Sequence, residues 1–244
     1  MTTRPGIVGL LLALLAGGCG TTDPDFSLLA ASSLTEVAPQ LTDAYHREQG
    51  ELDIVHDFAG SHSLATQIIE GRRADVLLTA DEASMARAVD AGAITGDPVV
   101  FARNRLVIVV PPGNPGGVTT LSDLADPDLL VAICAPDVPC GDLTARAAAD
   151  QGMVISADTL DPSVRSVLTR VQSESVDAGV VYVTDARAAA GSVETLALPG
   201  GGPTGAPYLA AAVDGSDPDA TGFVDWLTTE PAQAILGAAG FEQP

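Results

Sequence analysis

The segment Leu28-Leu-Ala-Ala-Ser-Ser-Leu-Thr-Glu36 changes its hydrophobic period halfway along its length. Its first half belongs to an apolar run, Phe26 to Ala31, that is long enough for one buried strand and too short for a helix. After the two serines, apolar residues recur at helical spacing: Leu34, Val37, Leu41 and Tyr45. Ser32 and Ser33 are therefore predicted to lie where a strand leads directly into a helix.

Ser33 has two interpretations at this junction. With Glu36 it has the S-x-x-E spacing of a capping box, in which the serine side chain caps the first helical turn. Alternatively, its hydroxyl and the free amides at the helix start hold an anion. Capping serines are common and anion sites are rare, so this segment alone favours the cap.

The chain is strongly acidic. Its 244 residues are enough for one or two domains, and 32 acidic residues against 11 basic ones give a net charge of -21. All of the basic residues are arginine. This balance argues against nucleic acid or an anionic membrane surface as a partner, and any bound anion must be held by local donors.

The N-terminus is predicted to be an export signal. Arg4 precedes an apolar run, residues 7–16, that is too short to span a bilayer. The following Gly17-Gly-Cys-Gly20 resembles a lipoprotein signal box, in which Cys19 is lipidated and becomes the mature N-terminus. We expect residues 1–18 to be a lipoprotein signal peptide and residues 19–25 a tether, with a plain signal peptide or an uncleaved anchor as alternatives.

Export leaves two further cysteines, Cys134 and Cys140, in an oxidising compartment. Their close spacing predicts a disulfide that closes a small loop. A metal site is disfavoured because no histidine lies near them in the sequence and two thiolates rarely suffice.

Two more strand and helix units follow the first. Glu51 to Phe58 alternates as a strand and ends in the polar turn Gly60-Ser-His-Ser63 before a helix. Asp75 to Ala80 is a third predicted strand, and Asp81 is predicted to cap the next helix. Strands that alternate with short helices indicate a parallel α/β architecture.

The chain is predicted to cross twice between two lobes. We assign residues 26–102 and 206–244 to lobe 1 and residues 103–205 to lobe 2, since extended segments and Gly-rich stretches surround both crossings. Two crossings create a hinge and a ligand cleft between the lobes. Within lobe 2, a helix is predicted from Leu143, and Asp161-Pro162 is predicted to cap another.

Motifs for catalysis are missing from the sequence: there is no G-x-S-x-G elbow and no P-loop. The one G-x-G-x-x-G string, at residues 200–205, precedes a predicted strand and not a helix, so it is not a dinucleotide-binding fingerprint. His62 adjoins Ser61, but adjacent residues on a turn rarely point at each other and no orienting carboxylate is evident. We therefore predict that the chain is not an enzyme. A secreted hydrolase that uses Ser33 or Ser61 with His62 is the rival interpretation.

Four segments, in this order along the chain, resemble the periplasmic molybdate-binding proteins of ABC importers. They are Ala30-Ala-Ser-Ser-Leu-Thr35, Asp57-Phe-Ala-Gly-Ser61, Ala74-Asp-Val76 and Asp177-Ala-Gly-Val-Val-Tyr-Val-Thr-Asp-Ala186. Each segment alone is unspecific, whereas the ordered set is specific. The resemblance implies an α/β fold of the two-lobed (type II) periplasmic binding protein class, with two parallel or mixed sheets flanked by helices. In that family uncharged donors grip a tetrahedral dianion in the cleft.

The resemblance also implies five binding residues: the hydroxyls of Ser33, Ser61 and Tyr182 and the backbone amides of Cys140 and Val164. Cys140 stands where the family has a small alanine; its amide survives the change, but its loop would be pinned to Cys134. His62 replaces the usual serine and could alter the rim of the site. Arg165 is expected to be solvated, because the family's grip uses neutral donors.

From this resemblance we expect extracytoplasmic binding of molybdate, and of tungstate as well, with delivery to a membrane-embedded ABC permease. We expect a monomer without a cofactor, held by lipidated Cys19 on the outer face of the cell membrane. The alternatives are a receptor for sulfate, phosphate or another oxyanion, the hydrolase described above, and a purely structural lipoprotein.

Overall fold

The computed structural model describes residues 26–49, 54–198 and 205–244. The predicted signal peptide, Cys19, the tether, the start of the predicted second strand and most of the Gly-rich stretch at 200–205 lie outside these residues. In the described part of the chain, every helix is too short or too polar to cross a membrane.

The described residues contain ten strands and eight α-helices. The strands are β1 (Phe26–Ala31), β2 (Ile54–Ala59), β3 (Val76–Thr79), β4 (Ile94–Asn104), β5 (Leu106–Val110), β6 (Val131–Cys134), β7 (Thr159–Asp161), β8 (Ala178–Tyr182), β9 (Glu194–Ala197) and β10 (Ala206–Val213). The helices are α1 (Ala38–Gln49), α2 (Ser61–Ile69), α3 (Glu82–Asp90), α4 (Pro139–Asp150), α5 (Val164–Gln172), α6 (Val183–Ala188), α7 (Asp219–Trp226) and α8 (Glu230–Ala239). Two segments, Ser32–Leu34 and Leu121–Ala125, form 3-10 helices.

The strands form two mixed five-stranded sheets, with the orders β2-β1-β3-β10-β4 and β7-β6-β8-β5-β9. β1 is parallel to β2 and β3, and β6 is parallel to β7 and β8. β10 and β5 each run antiparallel to the strands beside them. We use lobe 1 and lobe 2 for the elements around the first and the second sheet; the lobe boundaries proposed above stay predictions.

Two short connections join the sheets. Only Arg105 separates the end of β4 in the first sheet from the start of β5 in the second. The chain returns between β9 and β10, and β10 pairs with β4 from Ala206 opposite Asn104 onward. The end of β4 and the start of β10 therefore lie side by side where the chain passes between the sheets, which is the arrangement of a hinge.

One hydrophobic cluster contains buried apolar residues of both lobes. It includes Leu28 and Leu34 of lobe 1 together with Val138, Val164 and Tyr182 of lobe 2. The helical spacing after β1 is explained by this cluster, because Leu34 and the other three residues of that pattern are at most 5% exposed. Apolar surface thus holds the two lobes against each other at the ends of their parallel strands.

The predicted capping box at Ser33 is wrong. The residues after β1 form one 3-10 turn, and α1 begins only at Ala38, so Ser33 is not the cap of that helix. The Ser33 hydroxyl lies 2.7 Å from the hydroxyl of Tyr208 on β10. A contact with a residue far away in the sequence thus takes the place of the predicted cap.

The predicted helix cap at Asp161 is also wrong. Asp161 ends β7, and its carboxylate accepts hydrogen bonds from Arg170 Nε at 2.8 and 2.9 Å. Ser163 caps α5 instead and accepts a bond from the Ser166 amide at 3.2 Å. In the same lobe, α4 begins at Pro139, four residues before the predicted Leu143. Asp81, by contrast, caps α3 as predicted.

Candidate binding site between the two lobes

The five residues implied by the resemblance all lie where parallel strands end. Ser33 follows β1 and Ser61 follows β2. Cys140 follows β6 across the cysteine loop, Val164 follows β7, and Tyr182 is the last residue of β8. Ligand sites of open α/β sheets form at the carboxyl ends of the strands, because loops and helix starts meet there.

Lobe 1 contributes two buried serine hydroxyls. Ser61 is the first residue of α2, and its Oγ accepts a hydrogen bond from the Ala80 backbone amide at 3.0 Å. Ser33 Oγ is engaged with Tyr208 as described above, and both serines are at most 6% exposed. Since the Ala80 amide occupies an acceptor position of Ser61, the hydroxyl hydrogen of Ser61 stays free for a ligand.

Lobe 2 contributes backbone amides at two helix starts. Cys140 is the second residue of α4, behind Pro139, and Val164 is the first residue of α5, behind its cap Ser163. Amides in the first turn of a helix have no intrahelical carbonyl to pair with. The two helix N-termini therefore present free donors and the positive ends of their dipoles, which favour an anion.

Tyr182 carries a buried polar atom that lacks a partner. Its hydroxyl oxygen makes no hydrogen bond to any of the described residues, although the side chain is only 1% exposed. Burial, followed by the nearby Tyr208 and several acidic residues, raises the pKa of Tyr182 well above its ordinary value. The hydroxyl therefore keeps its hydrogen, and a group at this position that accepts it would remove the cost of an unpaired buried donor.

All five residues line one small cavity between the lobes, with a volume of about 10 Å³. The full lining consists of uncharged residues: Ala31, Ser32, Ser33, Ala59, Gly60, Ser61, Ala80, Val138, Pro139, Cys140, Val164 and Tyr182. This volume corresponds to roughly one water molecule. The structure thus brings the five predicted residues together in a small, neutral and donor-rich space.

The lobes approach each other closely beside this cavity. A Cβ atom added at Gly60 of lobe 1 would lie 2.7 Å from the Pro162 carbonyl oxygen of lobe 2, so only glycine fits. Arg165 of lobe 2 forms an ion pair with Glu36 of lobe 1 at 3.2 Å. Arg165 does not line the cavity and its side chain is 37% exposed, which agrees with the prediction of a solvated helix residue, although its guanidinium also bridges the two lobes.

The predicted disulfide between Cys134 and Cys140 is confirmed, with their Cα atoms 5.7 Å apart. It ties the end of β6 to the first turn of α4. The next residue, Gly141, has no room for a side chain, since an added Cβ would lie 2.0 Å from the Ala135 carbonyl oxygen. The position of the Cys140 amide is therefore fixed by both a covalent bond and close packing.

Sequence reasoning missed the polar residues behind the cavity. Tyr208 on β10 and Asn104 at the end of β4 are at most 1% exposed, and Asn104 donates to Thr184 of α6 at 2.8 Å. Asp185 of α6 is buried as well. The one sequence signal for Asn104 was its position between two arginines at a lobe crossing. Tyr208 has no such signal and looks like any other strand residue.

Asp185 has a strongly perturbed carboxyl group. Burial raises its pKa to about 7, while the Arg165 guanidinium and the backbone amides of Tyr182 and of Asp185 itself act in the opposite direction. The Tyr182 amide lies 3.3 Å from Asp185 Oδ2. The Asp185 carboxyl group thus lies directly behind Tyr182, whose hydroxyl lines the cavity.

The serine and histidine arrangement of a hydrolase does not form. Both ring nitrogens of His62 lie within 3.1 Å of Arg87 Nη1, and His62 does not line the cavity. Ser61 is bonded to the Ala80 amide and Ser33 to Tyr208. The described residues also contain no cluster of His, Cys, Asp or Glu that could hold a metal ion.

A larger groove, of about 1050 Å³, lies on the hinge side of the molecule. Arg103, Arg105 and Arg187 line it together with apolar residues of α4, α6 and β9. None of the five predicted residues faces it. The larger volume of this groove therefore does not coincide with the place where the polar groups converge.

Two sheet-centred lobes that meet around a small cavity with uncharged donors define the fold of a two-lobed periplasmic binding protein. This fold is shared with the Azotobacter vinelandii periplasmic molybdate-binding protein, with a TM-score of 0.79, 21% identity and coverage of 90% of this chain and 99% of that one. The sulfate-binding protein SubI of Mycobacterium tuberculosis is almost as similar, with a TM-score of 0.78, 21% identity and coverage of 91% and 87%. The predicted fold class is confirmed.

The chain belongs to the family of bacterial extracellular solute-binding proteins, whose model matches residues 26–242. It is 33% identical over 253 aligned positions to the molybdate-binding protein ModA of Mycobacterium tuberculosis, with coverage of 97% of both chains. It is 30% identical to the ABC transporter substrate-binding lipoprotein YvgL, described as putative, of Bacillus subtilis, with coverage of 74% of both. The resemblance found in the sequence is thereby confirmed.

Proposed function

We propose that this protein binds molybdate, and also tungstate, outside the cell membrane and delivers the anion to an ABC permease. Its relative in Mycobacterium tuberculosis, which matches nearly its whole length, is named for molybdate binding. The proposal assigns binding to five groups: the hydroxyls of Ser33, Ser61 and Tyr182 and the amides of Cys140 and Val164.

The observation that carries the proposal is the unpartnered hydroxyl of Tyr182. It is buried in a cavity that also collects two serine hydroxyls from lobe 1 and two helix starts from lobe 2. Converging neutral donors replace the solvation of a buried dianion without requiring a lysine or arginine. In a chain with a net charge of -21, such local donors are what an anion site needs.

Entry of a ligand requires motion. The cavity of about 10 Å³ is smaller than a tetrahedral oxyanion, so the lobes must part or the donors must move outward before an anion fits. The two adjacent connections between the sheets supply a hinge for that motion. The Arg165 and Glu36 pair and the close approach at Gly60 then re-form as the lobes shut on the ligand.

Sulfate is the second candidate, because the solved sulfate-binding protein has almost the same fold similarity as the molybdate-binding one. We expect geometry to separate the two anions. Molybdate and tungstate have nearly equal radii and should reach all five donors, whereas the smaller sulfate leaves donors stretched and weak.

Calorimetric titration with molybdate, tungstate, sulfate and phosphate tests the assignment. We expect tight binding of the first two and much weaker binding of the others, accompanied by thermal stabilisation in the same order. Equal affinity for sulfate and molybdate would contradict the proposed ligand. Turnover of ester substrates would contradict the proposal that the protein is a carrier and not an enzyme; molybdate is cargo here and no cofactor is proposed.

We further propose export with lipid attachment at Cys19 and action as a monomer. One relative, in Bacillus subtilis, is described as a lipoprotein, and a tether would keep the receptor close to its permease. The Cys19→Ala variant should leave the membrane fraction and appear in the soluble one. Retention of this variant in membranes would mean that the N-terminal segment is an uncleaved anchor.

A further inference from the structure

A chain of buried hydrogen bonds leads from the hinge to the Ser33 hydroxyl. Asn104, the last residue of β4, places Nδ2 2.8 Å from Thr184 Oγ1 and 3.4 Å from Tyr208 Oη. Tyr208 Oη in turn lies 2.7 Å from Ser33 Oγ. Tyr208 is fully buried but does not line the cavity, so it reaches a ligand only through Ser33.

The direction of these bonds follows from the groups involved. Asn104 Oδ1 accepts the Arg105 amide at 3.0 Å, so the amide nitrogen of Asn104 faces Thr184 and Tyr208 and donates to both. Tyr208 Oη therefore accepts from Asn104. In the residues that the structure describes, Ser33 Oγ is then the one acceptor within reach of the Tyr208 hydrogen.

The opposite direction would leave a hydrogen unpaired. If Ser33 donated to Tyr208, the Tyr208 hydrogen would be buried without an acceptor, which is costly. Burial also raises the pKa of Tyr208 far above its ordinary value, so this hydrogen is not lost to ionisation. Tyr208 thus donates to Ser33.

We propose that Tyr208, oriented by Asn104, is a positioning residue that fixes the Ser33 hydroxyl as a hydrogen-bond donor into the cavity. Ser33 has a single hydrogen, and because its oxygen accepts from Tyr208, that hydrogen is left for the ligand. A donor that is aligned before binding loses less freedom when the ligand arrives, and consecutive bonds of this kind polarise one another. This inference rests on the proposed oxyanion function.

Ser61 is set as a donor in a different way. Its oxygen accepts from the Ala80 backbone amide at 3.0 Å, so its hydrogen too is left for the cavity. Both serines of lobe 1 therefore present hydrogens and not lone pairs. The difference is that a backbone amide orients Ser61, whereas a side chain that can be replaced orients Ser33.

This difference provides the experiment, a set of double-mutant cycles read by molybdate titration calorimetry. Tyr208→Phe should weaken binding about five-fold in the otherwise unchanged protein. In the Ser33→Ala background the same substitution should change the affinity less than two-fold, because no hydroxyl remains to be oriented. In the Ser61→Ala background the five-fold loss should persist. Asn104→Ala should show the same dependence on Ser33, with a smaller factor.

The two serine backgrounds separate positioning from general damage. If Tyr208→Phe acted by deforming the cavity, the loss would be equal in both backgrounds, and that result would overturn the proposal, as would an unchanged affinity in the single variant. Tyr45→Phe, on α1 and outside the cavity lining, is the matched control and should bind as the unaltered protein does.

Failure of the proposed function gives a different result. If sulfate or phosphate binds the unaltered protein best, the same cycles are run with that anion, and the dependence on Ser33 tests the positioning role by itself. If none of the four anions binds, both the oxyanion function and the positioning role are wrong.

Discussion

The two sides of the cavity achieve the same chemistry by different means. Lobe 1 offers serine hydroxyls whose oxygens are already engaged, by the Ala80 amide at Ser61 and by Tyr208 at Ser33. Lobe 2 offers two backbone amides and one hydroxyl, Tyr182, that has no partner among the described residues. The serine oxygens of lobe 1 therefore have hydrogen-bond partners before a ligand arrives. The Tyr182 hydroxyl of lobe 2 has none among the described residues.

This difference determines how each side can be damaged. A hydroxyl donor is lost when its side chain is replaced, whereas an amide donor survives every substitution except proline or one that moves the backbone. The lobe 2 backbone is held by the disulfide and by the tight packing at Gly141. We therefore expect the largest stability effects in lobe 2 and the most specific binding effects in lobe 1.

Gly141→Ala should have the largest effect. The new methyl group would lie 2.0 Å from the Ala135 carbonyl oxygen and 2.6 Å from that of Cys134, so the loop or the start of α4 must move. We expect a loss of roughly 3–4 kcal/mol in the free energy of unfolding, the upper range for overpacking, measured by urea denaturation.

Gly237→Ala is the matched control for this substitution. Gly237 lies inside α8, and nothing lies within 4 Å of the position that a Cβ would take. It should stabilise the protein by about 0.5–1 kcal/mol, since alanine is the better helix former. A similar loss for both variants would mean that the packing at Gly141 is not special.

Asp185→Asn should have the next largest effect, and its size should depend on pH. The folded-state pKa of about 7 lies above the ordinary value of about 3.9, so the folded state binds the proton more tightly. Stability is therefore lost as the pH rises from about 4 to about 7. The variant cannot ionise, and we expect it to be more stable than the unaltered protein by roughly 2–3 kcal/mol at pH 8.

The comparison at pH 5 makes this prediction specific. There the carboxyl is mostly protonated in the folded protein, so the gain from Asp185→Asn should be much smaller. Urea denaturation at both pH values measures the difference, and Asp43→Asn on the exposed face of α1 serves as control. A gain that is equal at pH 5 and pH 8 would show that Asp185 does not titrate in this window.

Removing the disulfide should have a smaller effect on stability. For so short a loop the chain-entropy model gives about 2 kcal/mol, which we expect to be lost in the double variant Cys134→Ala with Cys140→Ala. Molybdate affinity should fall too, because the Cys140 amide becomes less fixed. The bond itself is checked by alkylation without reductant, and labelling of both thiols in the unaltered protein would contradict it.

The sequence located the two sides of the cavity unequally well. Strand ends followed by serine- and glycine-rich turns are local patterns, and they placed Ser33 and Ser61 correctly at the ends of β1 and β2. The five proposed binding residues themselves were implied by the family resemblance. Local patterns failed where a distant partner competed, as at Asp161, whose carboxylate binds Arg170 and whose backbone continues β7.

The residues behind the cavity could not be found from the sequence alone. Tyr208 lies 175 positions from Ser33, and no local period connects the two residues. The unusual pKa of Asp185 arises from burial by elements that are far apart in the chain, which spacing does not reveal. In both lobes, therefore, local turns are visible in the sequence and tertiary networks are not.

The smallest effect should distinguish the two sides most directly, in the protein without ligand. Ser61→Ala leaves the buried Ala80 amide without its acceptor, which should destabilise the unliganded protein by about 1 kcal/mol. Tyr182→Phe removes a hydroxyl that has no partner among the described residues, so it should leave stability unchanged or raise it by up to about 1 kcal/mol. Both variants should bind molybdate more weakly, by roughly 1–3 kcal/mol, because each deprives the anion of one donor. Urea denaturation without ligand should therefore show a loss of stability for Ser61→Ala alone, whereas calorimetric titration should show weaker binding for both variants. Destabilisation by Tyr182→Phe as large as that by Ser61→Ala would mean that the tyrosine hydroxyl already has a partner, and the contrast between a satisfied and an unsatisfied side would be wrong.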